Sequence, residues 1–209
     1  MPFNLRPIRR RHQADHPRDR EMSRSTSTLK SARVSSGIAR TERDSASIKA
    51  VPLLDLDRFM GRWNEIARLP SPAQRETDQQ IALIFSHRDE HLVLVKQVCV
   101  QADGSPRELT SVVRRRYPIE EPGQFQRRHG PSWLGWLPSM WEEIWVLAID
   151  RDYRWVLMGD PQRRNLWILS RDMTMERSVL ETLKSKARAM GYDLAPLIVS
   201  GELRSYQPM

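Results

Sequence analysis

The sequence predicts an all-β fold with one C-terminal helix, an eight-stranded antiparallel up-and-down barrel. Three observations carry that prediction. Short β-type segments recur between Gly61 and Arg171, with compact turn signals at regular spacing. The first opens on Gly61-Arg62-Trp63, where the glycine permits a sharp turn and the tryptophan takes one face of a strand, well placed to plug a barrel end. After Thr174 the apolar period lengthens to helical spacing.

Residues 1–50 stand apart. They carry 12 of the 34 Lys and Arg but only 5 of the 26 Asp and Glu, a net +7 that leaves +1 for residues 51–209. With Arg9-Arg10-Arg11, Ser23-Arg24-Ser25-Thr26-Ser27-Thr28 and no aliphatic cluster, this segment cannot bury enough apolar surface to offset its ordering entropy. It is expected to be a disordered basic extension, from a mis-set start or serving as a tether to an anionic surface. Nucleic acid is not the expected partner, because no aromatic residues interleave the charges. The basic character of the chain therefore belongs to its first fifty residues, and residues 51–209 form the expected domain.

A turn of helix at Asp57–Met60 precedes the first strand, about Gly61 to Leu69, which Pro70-Ser71-Pro72 ends. Ile81 to His87 and His91 to Gln101 follow around Arg88-Asp89-Glu90. Ala102-Asp103-Gly104-Ser105-Pro106 is a strong turn into Glu108 to Tyr117. Gln124 to His129 is the fifth strand. An irregular apolar stretch, Trp133 to Trp141, is broken by Gly135 and Pro138, and Glu142 to Ile149 is the sixth strand. Asp150-Arg151-Asp152 and Asp160-Pro161-Gln162 turn into Tyr153 to Gly159 and Asn165 to Arg171, so the barrel spans about 61–171. Met175, Val179, Leu183, Lys186 and Met190 then mark a helix over about 174–190, capped by Thr174 and stopped by Gly191. Leu197-Ile198-Val199 is a candidate last strand.

These residues resemble the lipocalins, and within them the bacterial outer-membrane lipoprotein branch of the calycin superfamily. Leu56 to Trp63 is similar to the first motif of that family. Asp150 to Pro161 and Leu166 to Arg171 are similar to its closing strands, and Trp133-Leu134-Gly135-Trp136-Leu137-Pro138 also has its like in that branch. The likeness covers about residues 52–204. It implies that Arg171 lies over Trp63 and seals the barrel floor, so Gly61, Trp63 and Arg171 are fold determinants. It implies a lipophilic ligand bound for transport or storage in the lumen, which inward Arg residues would make a fatty acid or lysophospholipid, and a role in cell-envelope lipid maintenance. Asn64 departs from the family, which usually carries Tyr there. No signal peptide and no Cys before Cys99 is visible, so an outer-membrane address rests on the resemblance and a cytoplasmic one stays open.

Candidate ligand-binding residues are Arg115, Arg127, Glu65, Tyr117 and Trp136. Period two places Arg115 with Ser111, Val113 and Tyr117, and Arg127 with Phe125 and His129. If those faces point inward, their guanidinium groups suit a carboxylate or phosphate head. A one-residue register slip would instead turn them to solvent. Glu65 shares a face with Trp63 and reads equally as a partner for a lumen Arg or as an ordinary edge-facing carboxylate. The Trp133–Trp141 stretch suits a membrane or ligand lip, a homodimer contact, or a fold over the barrel core. His87 and His91 lack a third metal ligand. No phosphate loop, nucleophile elbow or cofactor motif occurs, and no catalytic residue or cofactor is expected. The alternatives are a barrel enzyme acting on a lipidic ligand, with Cys99 its one reactive side chain, and an interaction module tethered by the basic extension.

Overall fold

A computed structural model describes residues 48–72, 74–89, 91–117, 119–128 and 140–205. The expectations for the basic extension lie outside these residues except at its end, residues 48–50. Helix α1 (Leu56–Phe59) is one turn long, and its N-cap Asp55 accepts the Arg58 amide at 3.1 Å. It carries Phe59 into the core. The chain then reverses at Gly61, whose φ of +95° suits glycine.

Eight strands follow: β1 (Gly61–Arg68), β2 (Gln79–His87), β3 (Leu92–Val100), β4 (Pro106–Tyr117), β5 (Glu121–Arg128), β6 (Glu142–Ile149), β7 (Trp155–Gly159) and β8 (Leu166–Ser170). Each pairs antiparallel with its predecessor, and β8 returns to β1, closing the barrel. Closure leaves little edge for another chain to extend. Strand β6 has its predicted limits, and the others differ from theirs by at most three residues at an end, where turn residues such as Glu121 and Gln79 join the ladders.

The helical stretch begins later than the sequence predicts. Thr174 does not cap it but lies in β9 (Thr174–Glu176). Helix α2 (Arg177–Ala189) starts after Glu176, which makes no side-chain cap. Its buried stripe is Leu180, Leu183 and Ala187, while Lys186 is exposed. Of the predicted stripe Met175 and Leu183 are buried and Val179 and Met190 half-buried, while Leu180 and Ala187 complete the face. Gly191, at φ +86°, ends it as expected, its amide donating to Arg188 O at 2.9 Å. Two short strands finish the fold. β10 (Ile198–Val199) pairs with the upper part of β1, and β11 (Glu202–Arg204) runs parallel to β9.

Apolar side chains divide between the two faces of the sheet. The inner cluster holds Phe59, Trp63, Phe85, Phe125, Met158 and Leu169. The outer one packs α2 through Leu180, Leu183 and Ala187 against Leu157, Leu166 and Ile168. Alternation along β7 and β8 feeds both clusters, so every residue of β8 is buried.

The closed end is held by Arg171. Its guanidinium carbon lies 3.8 Å from the Trp63 ring centroid. Its Nη1 donates to Arg62 O at 2.8 Å, and its Nη2 donates to Arg58 O at 2.6 Å and Met60 O at 2.9 Å. One side chain thus satisfies carbonyls that end α1 and covers the barrel plug. Trp63 Nε1 donates to Phe59 O at 2.8 Å, locking plug to helix. Arg171→Ala is expected to lower the unfolding free energy by about 2–4 kcal/mol, read by urea titration. Arg171→Lys, which keeps the charge without the planar face, should recover only part. An unchanged urea midpoint in Arg171→Ala would overturn this role.

Candidate functional site: the barrel lumen

The lumen is built in two layers. The lower one is apolar and nearly full. Phe59 packs against Phe85 with centroids 5.0 Å apart, and against Phe125 at 6.2 Å. These rings, with Met60, Ile144 and Met158, leave a cavity of about 10 Å³. That space is too small for an alkyl chain.

Above this layer the inward positions turn polar. A register shift between Glu65 and Ala67 is decisive, because both Glu65 and Arg68 then pair with inward residues of β8, Leu169 and Trp167. Both side chains are fully buried, and Arg68 Nη1 donates to Glu65 Oε1 at 2.9 Å. Gln74 Nε2 donates to Glu65 Oε2 at 3.0 Å, and the Ser200 hydroxyl lies 2.9 Å from Oε1. Arg68 Nη2 donates to Arg75 O at 2.7 Å, tying the β1–β2 loop to the wall. Burial pushes the Glu65 carboxyl above its ordinary value of 4.5, against the opposing pull of Arg68 and the hydrogen bonds.

Farther around the wall, Asp78 Oδ2 meets Arg107 Nη1 at 3.5 Å, beside the inward thiol of Cys99. Burial and the Asp78 carboxylate both raise the Cys99 pKa, which keeps it a thiol. On β5, Arg127 lies one inward position above Phe125. Its guanidinium carbon is 5.0 Å from the Trp167 ring centroid, and Nη2 reaches Glu142 Oε2 at 3.3 Å. Burial lowers the Arg127 pKa, with Glu142 opposing. Among the described residues, Arg68 Nε, Asp78 Oδ1, Gln97 Nε2 and Arg127 Nε are buried without a hydrogen-bond partner. Such atoms are costly unless something binds them.

A family model for the lipocalin-like domain matches residues 54–202. The chain belongs to the lipocalin family. This lipocalin is 30% identical over 151 residues to temperature-induced lipocalin-1 of Arabidopsis thaliana, covering 72% of this chain and 80% of that one. It is 27% identical over 164 residues to the outer membrane lipoprotein Blc of Vibrio cholerae, covering 73% and 85%. Insecticyanin from the tobacco hornworm Manduca sexta shares the fold, with a TM-score of 0.55 at 17% identity over 76% of this chain and 89% of that one. Among the described residues, no helix of this lipocalin is long and apolar enough to cross a membrane.

The sequence-predicted site residues are not all brought together. Glu65 and Arg127 lie in the polar layer. Arg115 is on the inward register, opposite Phe125, but half-buried at the closed end of β4. A register shift after Arg115 separates Tyr117 from that face and leaves it 43% exposed. Trp136 lies outside the described residues, as does most of the Trp133–Trp141 stretch. His87 does not face His91. Its Nε2 lies 2.9 Å from Asp57 Oδ1. Among the described residues, no group of three His, Cys, Asp or Glu could hold a metal ion. Sequence reasoning missed Arg68, Asp78, Gln97 and Arg107. Strict alternation turns Arg68 outward, and no residue type in Ile66-Ala67 announces the register shift.

Glu65 gives a pH prediction. Its folded pKa stands above its unfolded one, so the folded chain holds more protons between the two. The stability it contributes is complete below the ordinary value of 4.5 and is lost as pH rises through the raised value. The difference in unfolding free energy between wild type and Glu65→Gln should therefore fall as pH rises from about 4 to about 7. Urea titrations at a series of pH values read it, and a difference that grows over that range would overturn it.

Proposed function

We propose that this lipocalin binds an amphiphilic small molecule, a fatty acid or lysophospholipid, for transport or storage, with its anionic head at Arg127 inside the barrel. The observation that carries this is Arg127, its side chain only 11% exposed, stacked toward Trp167 and with Nε unmatched at the top of a filled apolar layer. A guanidinium already desolvated exacts little further desolvation when a carboxylate or phosphate binds. Because the lower layer is full, the head sits on that layer and the chain runs toward the open end. Arg115, nearer the closed end, has the weaker claim on the head, and Tyr117 and Trp136 are secondary contacts.

The family binds small hydrophobic ligands, and its chemistry asks for no catalyst. The Cys99 thiol, with its raised pKa, offers little support for an enzyme acting on a lipidic ligand. The named bacterial relatives are outer membrane lipoproteins, so we place this function in cell-envelope lipid maintenance. The Trp133–Trp141 stretch would then serve as a lip for membrane contact or for a homodimer.

Arg127→Leu should weaken palmitate binding about tenfold or more while changing hexadecanol binding little. Displacement of an environment-sensitive fluorescent fatty acid measures both. Arg115→Ala, run alongside, should cost less than Arg127→Leu. Equal losses for acid and alcohol would overturn the anion site.

A further inference from the structure

Resting on that carrier function, we infer that the lumen holds a second polar subsite, at Asp78 in the loop that leads into β2, beside β3 and β4, which takes a primary ammonium group of the ligand head.

Among the described residues, three inward-facing cations of the open half have a carboxylate beside them. Arg68 has Glu65, Arg107 has Asp78 and Arg127 has Glu142. A ligand of net charge would upset that balance, whereas a head carrying one anion and one cation would not. The unmatched atoms have the same two-sided character. Arg68 Nε, Gln97 Nε2 and Arg127 Nε are donors in want of an acceptor, and Asp78 Oδ1 is an acceptor in want of a donor.

Asp78 is placed for this role. Its side chain is fully buried. Oδ2 is engaged by Arg107 Nη1 at 3.5 Å and by the Arg75 amide at 3.2 Å, which leaves Oδ1 as the open side of a fixed carboxylate. Its neighbour Cys99 occupies the inward register of β3, two positions beyond Gln97, so this carboxylate faces the lumen. The thiol beside it interacts with the Asp78 carboxylate but is a weak donor, shared with Arg107 O at 3.8 Å from Sγ, and carries no positive charge to match it. A primary ammonium offers three N–H donors and a compact charge. A trimethylammonium group has the charge but no donor, and a glycerol head has donors but no charge.

Three lysophospholipids with one acyl chain separate these chemistries: ethanolamine, choline and glycerol heads, with palmitate as the anion-only control. Displacement of the same fluorescent fatty acid from the full chain should rank the ethanolamine form tightest, by about tenfold over the other two. Asp78→Asn should erase that preference without weakening palmitate binding. The double variant Asp78→Asn with Arg107→Gln, which leaves no buried charge alone, should do the same and guards against a folding defect in the single variant. Equal affinities for the three heads, or a preference that survives in both variants, would overturn the ammonium subsite while leaving the carrier function standing. That is also the result expected if a buried water bridges Asp78 and Gln97. Failure of all four probes to bind would overturn both.

Discussion

The fold depends on one planar contact, the Arg171 guanidinium over the Trp63 indole. Residues 63 and 171 come from the first strand and the end of the last, so the contact closes the chain on itself at the barrel floor. It also consumes the carbonyls that α1 leaves open, at Arg58, Phe59 and Met60. Phe59 can therefore descend into the lumen and fill it with Phe85 and Phe125. Everything above that layer, the polar ring included, stands on a floor fixed in this way.

A filled floor changes what the cup above it can hold. Aliphatic burial supplies roughly 25 cal/mol per Å², yet the apolar part of this lumen has almost no area left to offer. In the proposed carrier, binding draws on the polar ring, where, among the described residues, buried donors and acceptors lie unmatched. Buried charge pairs add little stability of their own, because desolvation offsets their attraction. In the proposed carrier their value is selectivity, since a ligand that mismatches them leaves desolvated charges alone.

The architecture was legible in the sequence, the site only partly. Strand number, chain order and the Gly61, Trp63 and Arg171 set follow from turn residues and family motifs, which are local signals. The structure moved Thr174 from a cap into β9, because a parallel pairing with residues 202–204 competes for it. The inward direction of Arg127 follows from simple alternation along β5. Arg68 does not, because one extra residue between Glu65 and Ala67 reverses the face of all that follows in β1. Asp78 lies in a loop, where alternation has no meaning, and is placed by its contacts with Arg75 and Arg107.

The short β10 has a consequence of its own. β2 accompanies β1 only as far as Asn64, and the upper part of β1 is completed by Ile198 and Val199, with the Ser200 and Gly201 amides on Ile66 O. Gly201 is confined there, since a Cβ would come within 2.8 Å of the Ile66 Cα. A protease that trimmed the chain before residue 198 would leave the barrel closed on the β8 side. It would also bare a row of unpaired backbone groups on β1, a template onto which a strand of another molecule can dock. Residues 198–201 thus cover the backbone groups of β1 that β2 leaves open.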